Sequence, residues 1–205
     1  MRYKPGHREE TRARILSAVG RGFRKRGYEG IGVDGLAKEA GVTSGAFYGH
    51  FLSKEEAFRE AVVYGLREVH DAVVHLQKEH GVDWIGVFID FYLRAKRTCD
   101  LAEACALQAL TSEVARSNTT VRTTYQAELM KVIEVVAQGL PSGSTSEKTN
   151  RAVALLALLS GGVTMARAVA DEALAAQTAE GIRSAALVIA ADNSSPKESI
   201  ASPRG

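Results

Sequence analysis

With 205 residues and 45% hydrophobic content, the chain has ample apolar side chain for a packed core, which excludes a disordered or fibrous class and allows one large domain or a small domain leading into a larger one. Its formal net charge of +2 conceals an asymmetry: residues 1–60 carry 12 Lys+Arg against 8 Asp+Glu, and residues 61–205 carry 14 against 16. Only four prolines, with abundant Ala, Leu, Glu and Arg, favour helix almost everywhere, so the expected fold class is all-α.

The basic excess is concentrated further, with nine basic residues against three acidic ones in residues 1–30. That distribution suits a polyanion partner at one end, while Arg alternating with apolar residues describes a solvated helix face equally well. No apolar segment follows the basic start, so no secretory signal is expected and the protein is assigned to the cytoplasm. The longest charge-free apolar run, 152–166, is too short for a membrane span and contains Ser160, Gly161, Gly162 and Thr164. It reads as a buried helix, and no membrane partner is expected. Two cysteines without framework spacing fit free thiols in a reducing compartment.

In chain order, the first helix is predicted over 8–26, where Ile15, Val19 and Phe23 recur every four residues and Leu16 widens the stripe. Gly27 ends it, behind Arg24, Lys25 and Arg26, whose charges favour the negative end of the helix dipole. A second short helix follows over 33–40, with Val33, Leu36, Ala37 and Ala40 inward and Gly41 closing it. Next comes GVTSGAFYGHF, residues 41–51. Gly45 and Gly49 each cost roughly 1 kcal/mol of helix propensity relative to alanine, so a helix here must gain something from lacking side chains on one side.

From residue 53 the amphipathic pattern lengthens. Ser53 and Glu56 form a candidate capping box, and Phe58, Val62, Leu66, Val69, Val73 and Leu76 keep helical spacing up to Gly81. Further helices are predicted over 83–98, 101–116, 120–140, 147–170 and 172–191, with PSGSTS at 141–146 as the clearest loop. The Ser-, Pro- and Lys-bearing tail, 192–205, reads as disordered. The implied division is a unit at 1–52 and a larger one at 53–191.

Ala37, Gly41, Val42 and Phe47 have the spacing of a helix-turn-helix: a small residue for close crossing, a glycine for a left-handed turn, and two apolar residues to seat the second helix. Thr43 is its predicted N-cap. At 3.6 residues per turn, Phe47 and Phe51 face the core while Ser44, Gly45, Tyr48 and Gly49 face away. Bare positions at 45 and 49 let the backbone and Ser44 approach the floor of a nucleic-acid groove, with Tyr48, His50 and Lys54 reaching phosphates at its rim. The alternative, glycines packed inside a core, fits less well because Phe47 and Phe51 already define the buried face.

The motifs T-R-x-x-I-L, F-x-x-x-G-Y, A-x-x-A-G-V, G-x-F-Y-x-H-F and S-K-E occur in that order within residues 2–63. Together they resemble the DNA-binding domain of the TetR family of bacterial transcriptional repressors, of the TetR/AcrR type. The resemblance implies a three-helix N-terminal DNA reader, a ligand-binding helical bundle behind it, and a homodimer formed through the last two long helices. Position by position, it implies that Thr43, Ser44, Gly45, Ala46 and Gly49 read bases or face the groove, and that Tyr48, His50 and Lys54 contact phosphates. Gly32 departs from the Ser or Thr that often starts the family's second helix, which removes one hydroxyl from the phosphate contacts. Two-fold symmetry implies a palindromic double-stranded operator with half-sites roughly 34–36 Å apart or a multiple of it.

An unknown small-molecule effector is expected inside the bundle near Trp84, Phe88, Phe91, Tyr92 and Tyr125, although aromatic residues at helical spacing also form plain core. Cys99 follows Arg94, Lys96 and Arg97, cations that favour a thiolate. The segments T-C-D-L-A and L-T-S-E-V-A-R resemble a branch of the family that includes an electrophile-sensing repressor, which implies a sensor role for Cys99; a small buried hydrophobe is the alternative. On a continuous helix Cys105 would lie about 240° round from Cys99. His70, His75 and His80 lack the spacing of metal ligands, and neither metal nor cofactor is expected. The predicted function is a repressor that releases its operator on binding a small molecule or on modification of Cys99. The alternatives are a helix-turn-helix architectural or protein-interaction module without an effector and, further off, a small all-α enzyme, for which no convergent catalytic set is visible.

Overall fold

The computed structural model describes residues 5–191, and the predicted tail at 192–205 lies outside them. Among the described residues every regular element is helical. α1 (Pro5–Arg26) starts earlier than its periodicity predicts. α2 (Val33–Glu39) and α3 (Ser44–Tyr48) form the helix-turn-helix, and α4 (Lys54–His80) runs from it into the bundle. The bundle comprises α5 (Trp84–Leu93), α6 (Ala95–Thr98), α7 (Ala106–Arg116), α8 (Thr119–Gly139), α9 (Thr145–Ala168) and α10 (Glu172–Ala190).

The turn between α2 and α3 follows from Gly41, whose φ of 66° is in the left-handed region. The Val42 amide donates to the Ala37 carbonyl at 2.9 Å and the Gly41 amide to Lys38 at 3.1 Å, the paired bonds of a Schellman stop. Thr43 then caps α3 as expected, its hydroxyl accepting from the Ala46 amide at 3.1 Å. A five-residue helix has no stability of its own. It is held by Phe47 and Phe51, both fully buried with ring centroids 5.1 Å apart. A second aromatic group fastens α1 to α4, with Phe23 and Tyr28 set edge-on to Phe58 at 5.1 and 5.0 Å. One contiguous core extends from Ile15 to Ala190, so the reader and the bundle share it.

Several helix ends differ from the sequence expectation. Ser53 accepts from the Glu56 amide at 3.1 Å, but the Glu56 carboxylate accepts from Leu52 at 2.5 Å instead of closing a box on Ser53. The full capping box is Ser144 with Glu147, at the start of α9. The helix predicted over 83–98 is divided: a 3-10 turn at Gly81–Asp83 precedes α5, and Arg94 (φ −101°, ψ −76°) separates α5 from α6. The helix predicted over 101–116 becomes a 3-10 turn at Leu101–Glu103, extended backbone at Ala104 and Cys105, and then α7.

The end of α6 is held from α9. Arg167 donates to the carbonyls of Lys96, Arg97 and Cys99 at 2.5, 3.1 and 2.7 Å, satisfying acceptors that end α6 without helical partners. At the other end of α9, Arg151 does the same for α10, reaching Ile189, Ala190 and Ala191 at 2.9, 2.5 and 2.9 Å. The two arginines that merely delimit an apolar run in the sequence therefore hold chain ends. α9 itself, at 24 residues, is long and apolar enough to cross a membrane by length and composition alone, contrary to the estimate from the shorter run. In the fold its face of Ala152, Leu155, Leu156, Leu159 and Val163 is buried in the bundle, against α8 and α10.

α4 passes α7 at Gly65, where a Cβ would lie 2.3 Å from the Ala106 Cβ. Gly65→Ala is expected to lower stability by about 1–3 kcal/mol in denaturant unfolding. Gly86→Ala, with nothing within 4 Å of the added Cβ, is expected to be neutral or to gain up to about 1 kcal/mol. Equal losses from both would contradict a contact-limited crossing.

Candidate functional site

The exposed face of α3 is bare for two different reasons. A Cβ added at Gly45 would meet nothing nearer than the Thr43 hydroxyl at 3.9 Å, and the Gly45 φ is not positive. Neither packing nor backbone geometry therefore requires glycine there. At Gly49 a Cβ would sit 3.1 Å from the Ala46 carbonyl oxygen, so part of the reason for that glycine is internal to the turn. The two glycines, alike in the sequence, thus differ in what surrounds them.

Around this face Thr43, Ala46 and Tyr48 are exposed, and His50 is half-buried. The Tyr48 ring is 54% exposed yet anchored edge-on to Phe47, centroids 5.7 Å apart. Thr43, Gly45, Ala46, Tyr48 and Gly49 are therefore the exposed positions around the short helix, with Phe47 turned into the core. Lys54 is engaged elsewhere: its ammonium sits 4.3 Å from the Tyr28 ring centroid, a contact of about 0.5–1 kcal/mol that a phosphate would have to displace. Ser44 donates its hydroxyl hydrogen to Asp34 Oδ1 at 2.6 Å. Asp34 gives no signal in the sequence, because the pairing depends on how α2 and α3 cross.

The cations of α1 are committed largely within the molecule. Arg12 pairs with Glu60 and lies over Phe51, and Arg14 donates to the Ala40 carbonyl at 3.4 Å. Arg24, whose side chain is 6% exposed, donates to the Ala102 carbonyl at 2.8 Å and faces Glu68 at 3.5 Å. Lys25 pairs with Asp100 at 3.7 Å and Arg26 with Glu39 at 3.4 Å. The basic excess read as a polyanion footprint thus ties α1 to α2, to α4 and to the segment before α7.

A cavity of about 210 Å³ lies between α1, α4, α5 and the stretch leading into α7, lined by Arg24, Val69, Leu76, Phe88, Phe91 and Tyr92 among others. The structure brings together three of the five predicted aromatic residues and separates two. Trp84 is buried and donates from Nε1 to the Gly139 carbonyl at 2.9 Å, fastening α5 to the end of α8. Tyr125 lines a separate apolar groove of about 320 Å³ with Leu129, Ile133 and Leu156, its hydroxyl 3.0 Å from Thr111 Oγ1. The Tyr92 hydroxyl is buried without a partner of hydrogen-bonding geometry. Burial pushes its pKa well above the ordinary phenol value, and the neighbouring Cys105 thiol adds to the shift.

Cys99 is half-buried at the end of α6, with Sγ 3.5 Å from the Lys96 carbonyl and 3.7 Å from Arg167 Nη1. The cation at the thiol is Arg167 from α9. Of the nearby cations expected there, Lys96 donates to the Glu103 carbonyl at 2.8 Å and Arg97 to Leu93 at 3.2 Å. Cys105 is buried in extended backbone, so the two thiols do not share a continuous helix. Among the described residues no group of His, Cys, Asp and Glu is arranged to hold a metal ion.

The arrangement is a helix-turn-helix, with a short glycine-faced second helix, seated on a helical bundle. Residues 15–61 match the family model for bacterial regulatory proteins of the tetR family. The chain is 40% identical over 79 residues to the HTH-type transcriptional regulator TtgR of Pseudomonas putida, a segment covering 38% of this chain and 37% of that protein. It is 34% identical over 74 residues to the uncharacterised HTH-type transcriptional regulator YdgC of Bacillus subtilis, covering 36% and 38%. The match thus spans little more than a third of these relatives' length. Among solved structures, a TetR-family regulator from Cytophaga hutchinsonii shares the fold with a TM-score of 0.74 at 17% identity over 93% of this chain and 100% of that one. NemR of E. coli in its reduced form does so with a TM-score of 0.74 at 22% identity, over 91% and 100%. The N-terminal segment is thus similar in sequence to regulators of the tetR family, and the fold as a whole is similar to that of solved structures from it.

A buried hydroxyl without a partner costs about 1–3 kcal/mol. Tyr92→Phe is therefore expected to raise the melting temperature of the ligand-free protein. A fall would show that the hydroxyl makes a stabilising bond.

Proposed function

We propose that the protein is a homodimeric transcriptional repressor whose α3 enters the major groove of a palindromic double-stranded DNA operator, and which lets go when a small molecule occupies the cavity or Cys99 is modified. The observation that carries this reading is Gly45: its missing side chain serves no contact within the chain, which fits a surface that another molecule must approach closely. Thr43, Ser44, Gly45, Ala46 and Gly49 would face the groove, with Tyr48, His50 and Lys54 at the phosphates. The names of the relatives, transcriptional regulators of the helix-turn-helix type, support the same reading.

In this proposal residues 1–52 read DNA and residues 53–191 bind effector and dimerise. Val153 and Met165 on α9, with Leu174 and Val188 on α10, leave large apolar side chains in solvent on two adjacent helices, which supports a subunit interface there. Arg24 supports the coupling. It lines the cavity from α1 while holding Ala102 and Glu68, so a ligand that competes for those contacts shifts α1 and, with it, the reader. A cytoplasmic location goes with such a DNA partner in this reading.

A mobility-shift titration on the DNA upstream of the protein's own coding sequence tests this. One dimer per palindrome is expected. With roughly six phosphate contacts per dimer, affinity should fall about a thousandfold between about 50 and 200 mM salt. No preference for any duplex at low ionic strength, or binding as a monomer, would contradict the proposal.

A further inference from the structure

Ser44 lies in α3 and Asp34 in the first turn of α2, and the serine hydroxyl donates to the aspartate at 2.6 Å. A hydroxyl has one hydrogen to give and two lone pairs to offer. With the hydrogen directed at a carboxylate, which accepts and does not donate, Ser44 presents only lone pairs to anything approaching the bare face beside Gly45. In the major groove the donors are the N6 amino group of adenine and the N4 amino group of cytosine; guanine O6 and N7 and thymine O4 are acceptors.

We infer that Asp34 is a specificity-positioning residue: by holding the Ser44 hydroxyl hydrogen it confines Ser44 to bases that carry an exocyclic amino group, adenine or cytosine, and disfavours guanine and thymine at that position of each half-site. The inference rests on the DNA-reading function proposed above. The carboxylate also sets a negative charge beside the groove-facing surface, where it opposes the phosphates. Asp34 therefore lowers affinity for every sequence while sharpening the choice among them.

Selection from a randomised duplex library with the full-length protein, followed by affinity measurements on the selected duplexes, tests the assignment. The wild-type protein is expected to select adenine or cytosine at one position per half-site, with about a tenfold loss for guanine or thymine there. Ser44→Ala should abolish that preference and leave the other positions unchanged. Asp34→Ala frees the hydroxyl hydrogen and should admit guanine or thymine nearly as well, with total affinity unchanged or higher. Asp34→Asn keeps an acceptor oxygen and loses the charge, so it should retain the preference and bind all sequences more tightly. A merely structural role would lower affinity uniformly, together with the melting temperature measured on the same variants. An unchanged preference in Asp34→Ala or in Ser44→Ala would overturn the inference while leaving the repressor reading intact. A wild-type protein that selects no sequence would overturn both.

Discussion

Burial of Phe47 beside Phe51 is the contact on which the placement of α3 depends. The helix is five residues long, too short to persist alone, and carries a glycine that works against it. The Schellman stop at Gly41, the Thr43 cap and two fully buried rings replace the missing propensity with tertiary packing. Because the buried rings hold the helix from one side, Gly45 on the other side needs no side chain for the fold.

A second constraint links that seat to the bundle. α1 packs on α4, and its last turn is tied to the segment before α7 by Arg24 and Lys25. The chain just ahead of that segment is held by Arg167 of α9, which takes the carbonyls of Lys96, Arg97 and Cys99. Cys99 sits at that clamp, and the cavity opens beside it. The cavity and the thiol therefore both adjoin a stretch of chain that touches the N-terminal helix as well as α9.

The sequence made the helical class, the helix-turn-helix, the Thr43 cap and the buried pair Phe47 and Phe51 legible, because each depends on residues within a few positions of one another. It could not show that α1 cations are partners of distant carbonyls and carboxylates; Arg24 and Ala102 are brought together only by the packed fold. Nor could periodicity locate the breaks at Arg94 and at Ala104–Cys105, where apolar spacing continues while the backbone leaves the helix. The aromatic residues were partly legible: Phe88, Phe91 and Tyr92 share a cavity, whereas Trp84 and Tyr125 were drawn to Gly139 and Thr111 by their polar atoms. Asp34 was invisible for the same reason as Arg24, since its partner lies on another helix.

The central claim is that Gly45 is small for the sake of an approaching duplex and not for the fold. Measuring DNA affinity and melting temperature together on Gly45→Leu tests it most directly. The account predicts a protein at least as stable as the wild type, since the added side chain enters open space and relieves a glycine in a helix, but with affinity reduced by at least about tenfold. Undiminished affinity in a stably folded Gly45→Leu protein would contradict it.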